Sequence, residues 1–285
     1  MGGEYNHSEL KYDHHQTPYD EKFVYSHEGE CCTNLSASGL IYKHYGMEVI
    51  QTIYPALKDE KENSDWVFNK MYKSFMEAID AIDTGVEIAP ICKYKDSTNL
   101  SARVSRLNPR WNEESNKDIM DAKFEIASSL CGQDFMSVLQ TIVESELPAR
   151  ELVQEALTKR HDVHTSNQIF AFPKGGLPWK QHLYELEKKS NLTEFNDLIK
   201  FVLYPDQEGM WRVQAVTIEG KAFENRVSLP KEWCGLRDDE LSTESNIPGG
   251  IFVHRNGFIG GNKRYEGALR MAVVALEQYY SDVSS

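Results

Sequence analysis

Asp13, His14 and His15 offer a carboxylate and two imidazoles on one short segment. Borderline divalent metals favour such nitrogen and oxygen donors. The segment follows the pair Gly2-Gly3 and precedes a turn at Thr17-Pro18. A His-His pair in an arbitrary chain is more often a surface loop, so its meaning depends on partners elsewhere. Asp80 and Asp83 are the candidates: three residues apart, near one helix face, just before Thr84-Gly85 ends that helix. Carboxylates at a helix C-terminus oppose its dipole and call for a positive partner, either an arginine or a cation.

A second signal lies in Gly257-Phe258-Ile259-Gly260-Gly261-Asn262-Lys263. Gly260 and Gly261 end a predicted strand, and a basic helix start follows. Backbone N–H groups at such a turn make an anion site for phosphate or carboxylate. The competing reading is a turn that needs glycine only for its dihedrals. A basic track for a nucleic-acid backbone has candidates in Arg103, Arg106 and Arg110, then Arg255, Lys263, Arg264 and Arg270. Each of these arginines taken singly is as well explained by a carboxylate partner or a solvated face. His161 and His164 lack the glutamate of a zincin helix, which favours a surface or structural role. No nucleophile-elbow serine, phosphate loop or dinucleotide-binding glycine pattern is present, so those enzyme classes have no support.

The elements that must position these residues change in texture along the chain. Ser36 to Tyr45 has helical apolar spacing, with Ser36 as a cap and Gly46 just past the end. Asp65 to Asp83 is the longest early helix, with Val67, Met71, Phe75, Ile79 and Ile82 as its apolar stripe. Asn99 to Leu107, Ile119 to Cys131 and Phe135 to Arg160 also read as helices, with Pro148 as a break or kink. After His161, strands are predicted at 168–172, 199–204 and 211–216, interspersed with helices at 179–189 and 263–280. The result is an α/β chain of two domains, 1–161 and 162–285, with a cleft between them. The first suits a parallel sheet and the second a mixed α/β layer.

At 285 residues with 40% hydrophobic and 26% charged side chains, the composition is that of a globular protein. No apolar run approaches the roughly 20 residues of a membrane span. Met1 to Asp20 is polar, without the apolar core of a secretory signal. Five cysteines without zinc spacing read as free thiols in a reducing compartment. The net charge of −13 argues against a general nucleic-acid coating surface. A nuclease remains compatible with it, because a metal–phosphate site needs carboxylates at its centre.

Read together, these segments resemble the melanocyte proliferating gene family of exonucleases, a branch of the DHH phosphoesterase superfamily. The matching stretches are 2–5 with 12–16, 35–44, 77–85, 98–104 with 106–109, 147–150, 178–180, 211–216, 235–238, 257–263 and 266–269. They span essentially the whole chain. The resemblance implies a DHH-type domain with a parallel sheet, then a C-terminal mixed α/β domain. It also implies a 3′-to-5′ exonuclease on single-stranded RNA, active in RNA processing, in the nucleus or mitochondrion. The implied cofactor is a divalent cation, manganese before magnesium. His14 would ligate it together with Asp83, or with Asp80 as the rival. His15 would meet a substrate phosphate, and Asp13 would orient the pair. Arg103, Arg106, Gly260, Gly261, Asn262 and Lys263 would hold the nucleic-acid backbone. The family pattern further expects a His/Asp-rich motif, an Asp-x-Gly-Gly motif and a first strand, which would fall ahead of Met1. A binding module without catalysis and a small phosphoester or pyrophosphate hydrolase are the alternatives.

Overall fold

The computed structural model describes residues 3–284 apart from 26–28, 90, 92 and 95. Gly2 of the glycine pair and Cys92 therefore lie outside the described residues. The chain divides into two compact units that meet at Leu147 and Pro148.

The first unit opens with strands β1 (Lys22–Tyr25) and β2 (Gly29–Asn34), paired antiparallel. The three residues between them are too few for the crossover a parallel pair requires. Among the described residues this hairpin is the unit's only sheet, so the expected parallel sheet is not seen there. Helix α1 (Ala37–Ile53) follows, and it runs straight through Gly46. Gly46 is not its end. It is buried in mid-helix, where an added methyl would lie 2.7 Å from the Tyr42 ring.

Helices α2 (Lys61–Met71) and α3 (Glu77–Thr84) are joined by a π turn at Tyr72–Met76. One extra residue in that turn rotates the helix face that points inward. Val67 and Met71 are buried as the apolar pattern predicts, but Ile82 further along the stripe is half exposed. Tyr72, Met76 and Asp80 take the buried face instead. Gly85 does end the helix in the left-handed region, φ 77°. Helix α4 (Leu100–Ser105) is capped by the Asn99 side chain, and α5 (Lys117–Thr141) by that of Asn116. The core gathers Phe23, Leu40, Ile50, Met71, Tyr72 and Leu139, with Phe23 stacked on Tyr72 at 3.8 Å between centroids.

A second π turn, Ile142–Glu146, links α5 to α6 (Leu147–Thr158). Pro148 does not break the run, since the π turn before it already departs from the α-helical bonding that proline would disrupt. In α6, Val153, Ala156 and Leu157 pack with Phe170 and Leu183. That packing assigns the helix to the second unit, so the boundary falls ahead of the 161/162 division predicted from texture.

After the short α7 (Arg160–Val163), the second unit contains β3 (Ile169–Ala171), α8 (Trp179–Lys189), β4 (Phe201–Pro205) and β5 (Trp211–Ala215). Then come α9 (Asp238–Ser245), β6 (Gly250–Val253), β7 (Ile259–Asn262) and α10 (Tyr265–Ser284). The sheet order is β3-β4-β5-β7-β6, parallel between β3 and β4 and antiparallel elsewhere. Side-chain alternation sends Phe201, Leu203 and Val213 to the α10 side. Phe170, Val202 and Val216 go to the α6 and α8 side. Residues 236–253 carried no helix or strand expectation, although they form α9 and β6 here. No described helix is long and apolar enough to cross a membrane.

The second core also encloses charge. Glu187 and Arg226 pair at 2.7 Å, and Lys200 is wholly buried with its ammonium donating to the carbonyls of Phe195 and Leu198. Burial, then the nearby Arg226, lowers Lys200 from its usual 10.5 to about 8. Between those values the unfolded chain binds more protons than the folded one, so stability from this group rises with pH across the window. Wild type should therefore gain about 2 kcal/mol on Lys200→Met between pH 8 and pH 10. Urea unfolding of both chains at the two pH values measures it; parallel curves would remove the buried ammonium from the account.

Candidate metal and phosphate site

The segment carrying Asp13 is tied to α1 by a network of rings and hydroxyls. Tyr5 Oη and His44 Nε2 lie 2.7 Å apart, and the Tyr12 and Tyr45 hydroxyls 2.8 Å apart. His7 stacks on His44 at 3.6 Å between centroids and bonds Tyr12 through Nδ1 at 2.8 Å. Loss of hydration, then the Tyr45 hydroxyl, pushes Tyr12 up to about 12. Burial and the facing His7 lower His44. The Tyr5 backbone N–H donates to Gln16 Oε1 at 2.6 Å, which closes the loop around the three site residues.

Within that loop Asp13 is the organiser. Its Oδ1 accepts from His15 Nδ1 at 2.6 Å and from the His15 backbone at 3.1 Å. Its Oδ2 accepts from the Gly3 N–H at 3.1 Å. These bonds, the His15 side chain first, hold the Asp13 carboxyl down at about 2. A methyl at Gly3 would lie 3.0 Å from Oδ2, so a glycine there lets the backbone come close. With Nδ1 of His15 engaged, its Nε2 is the nitrogen left for a ligand.

His14 is the more enclosed imidazole, its side chain only 12% exposed. Its Nδ1 is buried without a hydrogen-bond partner, while its Nε2 lies 3.8 Å from Asp83 Oδ2. Buried polar atoms are ordinarily satisfied, so this orphan marks a place where a ligand would be stabilising. One donor atom each from Asp13, His14 and His15 lies within 4.8 Å of the others. Nitrogen and oxygen donors so gathered, with a further carboxylate at hand, fit a divalent cation. Asp83 is solvent-exposed at the end of α3 and free to turn toward it.

Asp80 has a different task. It is wholly buried, and its Oδ1 accepts from the Ser36 backbone at 3.1 Å and the Ser36 hydroxyl at 2.6 Å. Its Oδ2 accepts from Tyr72 at 2.7 Å. Burial pushes its carboxyl up, and the donors from Ser36, Tyr72 and the Gly39 backbone pull against that. The carboxylate thus sits at the N-terminus of α1, where a helix dipole favours it. The predicted conflict with its own helix dipole is resolved by a neighbouring helix, which leaves Asp83 as the candidate ligand.

Arg103 is paired with Asp134 at 2.5 Å, and Arg106 donates to the Ser97 carbonyl at 2.6 Å. Gly260 and Gly261 do not end their strand. They lie inside β7, hydrogen-bonded between β5 and β6, so their N–H groups form no open cradle. Asn262 is wholly buried, its Nδ2 donating to the Pro248 carbonyl and its Oδ1 accepting from the Arg264 N–H, both at 3.0 Å. Of this group Lys263 is the exposed side chain.

The glycines serve close approach. A methyl at Gly261 would collide with Nη1 of Arg212 and lie 3.2 Å from the Phe252 ring. Arg212 pairs with Asp206 at 2.5 Å and stands 5.1 Å from the centre of that ring, with Nη1 lacking a hydrogen-bond partner. Sequence reasoning missed Arg212, and also Tyr5 and His44. The signal for the tyrosine–histidine network was Tyr12 directly before Asp13, with His44-Tyr45 on the next helix. His161 is exposed beside Asp162 and His164 bonds Ser166, in keeping with surface and structural roles.

A family model described as "Uncharacterised protein family (UPF0160)", labelled MYG1_exonuc, matches residues 1–276. The "MYG1 exonuclease" of Rattus norvegicus is 44% identical over 283 residues, covering 98% of this chain and 72% of its own length. "MYG1 protein C27H6.8" of Caenorhabditis elegans is 40% identical, over 97% of this chain and 81% of its own. "MYG1 protein YER156C" of Saccharomyces cerevisiae is 39% identical, over 93% and 78%. No solved structure gives a significant match.

Proposed function

We propose, for a chain that belongs to the MYG1 exonuclease family, that it hydrolyses phosphodiester bonds of single-stranded RNA from the 3′ end. The observation that carries this reading is the gathering of donor atoms from Asp13, His14 and His15 within 4.8 Å, with Asp83 Oδ2 3.8 Å from His14 Nε2. His14 and Asp83 would hold a divalent cation, manganese before magnesium, with Asp13 as the carboxylate behind the imidazoles. Such an ion would neutralise charge on the phosphoryl oxygens and lower the pKa of the attacking water. Asp13 occupies Nδ1 of His15 and so presents Nε2 to a substrate phosphate. The stacked His7 and His44, with Tyr5 and Tyr12, keep the loop from swinging off α1. In the second unit, exposed Lys263, just beyond β7, is a better candidate for a backbone phosphate than the glycine pair inside that strand.

The test is a single-stranded oligoribonucleotide labelled at its 5′ end and incubated with the chain and Mn2+. The expected result is a ladder shortening from the 3′ end, abolished by a chelator and restored by added Mn2+. An oligonucleotide that stays full length at every Mn2+ concentration ends the reading.

A further inference from the structure

The rings beside the Asp13–His15 cluster include one that is held still and left uncovered. His7 lies flat on His44, with 3.6 Å between centroids and planes 5° apart. Its Nδ1 is bonded at 2.8 Å to the Tyr12 hydroxyl, which is in turn tied to Tyr45 on α1. The imidazole is thus fixed over one face and along one edge. His7 is nevertheless solvent-exposed, whereas His44 beneath it and Tyr12 and Tyr45 beside it are half-buried. Its outer face is open to solvent. Ordering an exposed side chain costs conformational entropy. A ring ordered in advance spares that cost when a flat partner lands on it.

Position says what that partner is. Tyr12, whose ring centre is 5.9 Å from that of His7, directly precedes Asp13. Gly3 and Tyr5, just ahead of His7, bond Asp13 and Gln16 through their backbone N–H groups. The flat face and the metal-ligand cluster therefore belong to one cross-tied loop. A nucleobase is the flat group that arrives attached to a phosphate. The loop's two glutamates, Glu4 and Glu9, both lie against Lys11, at 3.6 and 2.6 Å, which limits their repulsion of that phosphate. We propose, on the basis of the RNA reading above, that His7 stacks the base of the 3′-terminal nucleotide while His15 meets its phosphate. Because His44 covers the opposite face, His7 takes a base on one side only, and the stack ends there. Such a platform suits the last nucleotide of a strand, since an interior base would have to give up a stacked neighbour. Every base has a π face, so the platform selects a strand end and not a sequence.

The test is a short single-stranded oligoribonucleotide carrying the fluorescent base 2-aminopurine at its 3′ end. It is titrated with the full chain at low salt and with a chelator present, so that binding is read without cutting. Stacking quenches this base, so wild type should quench it, while the same base placed mid-strand should stay bright. His7→Ala should abolish the quenching and weaken binding about tenfold. His7→Phe keeps a flat ring and should restore most of both. An oligonucleotide lacking its 3′-terminal base should bind wild type and His7→Ala alike. The Tyr5–His44 and Tyr12–Tyr45 bonds survive His7→Ala, so its melting temperature and Mn2+ affinity should match wild type. Quenching that persists in His7→Ala overturns the proposal, as does an absence of RNA binding. A His7→Phe variant as weak as His7→Ala, or a parallel loss of Mn2+ affinity, also overturns it by reducing His7 to a brace for the loop. Quenching without any cleavage in Mn2+ would instead end the hydrolytic reading alone, and cleavage without quenching would end this one alone.

Discussion

Asp80→Ala is expected to destabilise the first unit by about 3–5 kcal/mol, because three buried donors lose their acceptor at once. The Ser36 N–H, the Ser36 hydroxyl and the Tyr72 hydroxyl all end on this carboxylate; the Ser36 hydroxyl can turn to Ser38 Oγ at 2.8 Å, whereas the Ser36 N–H has no other acceptor among the described bonds. Asp80→Asn keeps the shape but turns an amide N–H2 toward donors, so its cost should be intermediate. Gly39→Ala tests the same contact from the other side, since its methyl would lie 2.6 Å from the Asp80 carboxyl carbon. The backbone of α1 cannot yield as a flexible side-chain end would. Urea unfolding followed by circular dichroism measures all three. If Asp80→Ala left the midpoint unmoved while abolishing Mn2+ binding, the residue would be a ligand after all.

His14→Ala should lower kcat/KM on RNA by at least about 100-fold, the scale set by losses around metal ligands. It should leave the unfolding midpoint nearly unchanged, because the imidazole it removes has an unsatisfied buried nitrogen to begin with. Asp83→Asn should reduce Mn2+ affinity by about 10- to 100-fold. Asp83 is exposed and holds no core contact, so again stability should not follow. The two aspartates of α3 are thus separable by experiment: one moves the denaturation curve, the other the metal titration. Equal and small effects of His14→Ala and Asp83→Asn on Mn2+ binding by paramagnetic resonance would disperse the proposed centre.

What could be read in the chain alone follows from local physics. The Asp13-His14-His15 triplet needs no tertiary information to be assembled, because three adjacent residues share one loop by covalent necessity. Helix α8 was placed at 179–189 from the chain, α3 ends at Gly85 because the left-handed turn suits glycine, and β3, β4 and β5 followed β-branched and aromatic content. Only the folded chain separated Asp80 from Asp83. Their spacing puts both near one side of a helix, but the π turn at Tyr72–Met76 rotates the register and buries the first beneath α1. The same limit applies to Gly260 and Gly261. A glycine pair reads identically whether it frees a turn or admits a neighbour, and the deciding fact, the guanidinium of Arg212 lying across β7, belongs to another strand. Sequence spacing determines which groups share a segment; packing decides which of them are left facing outward with hydrogen-bonding capacity unspent.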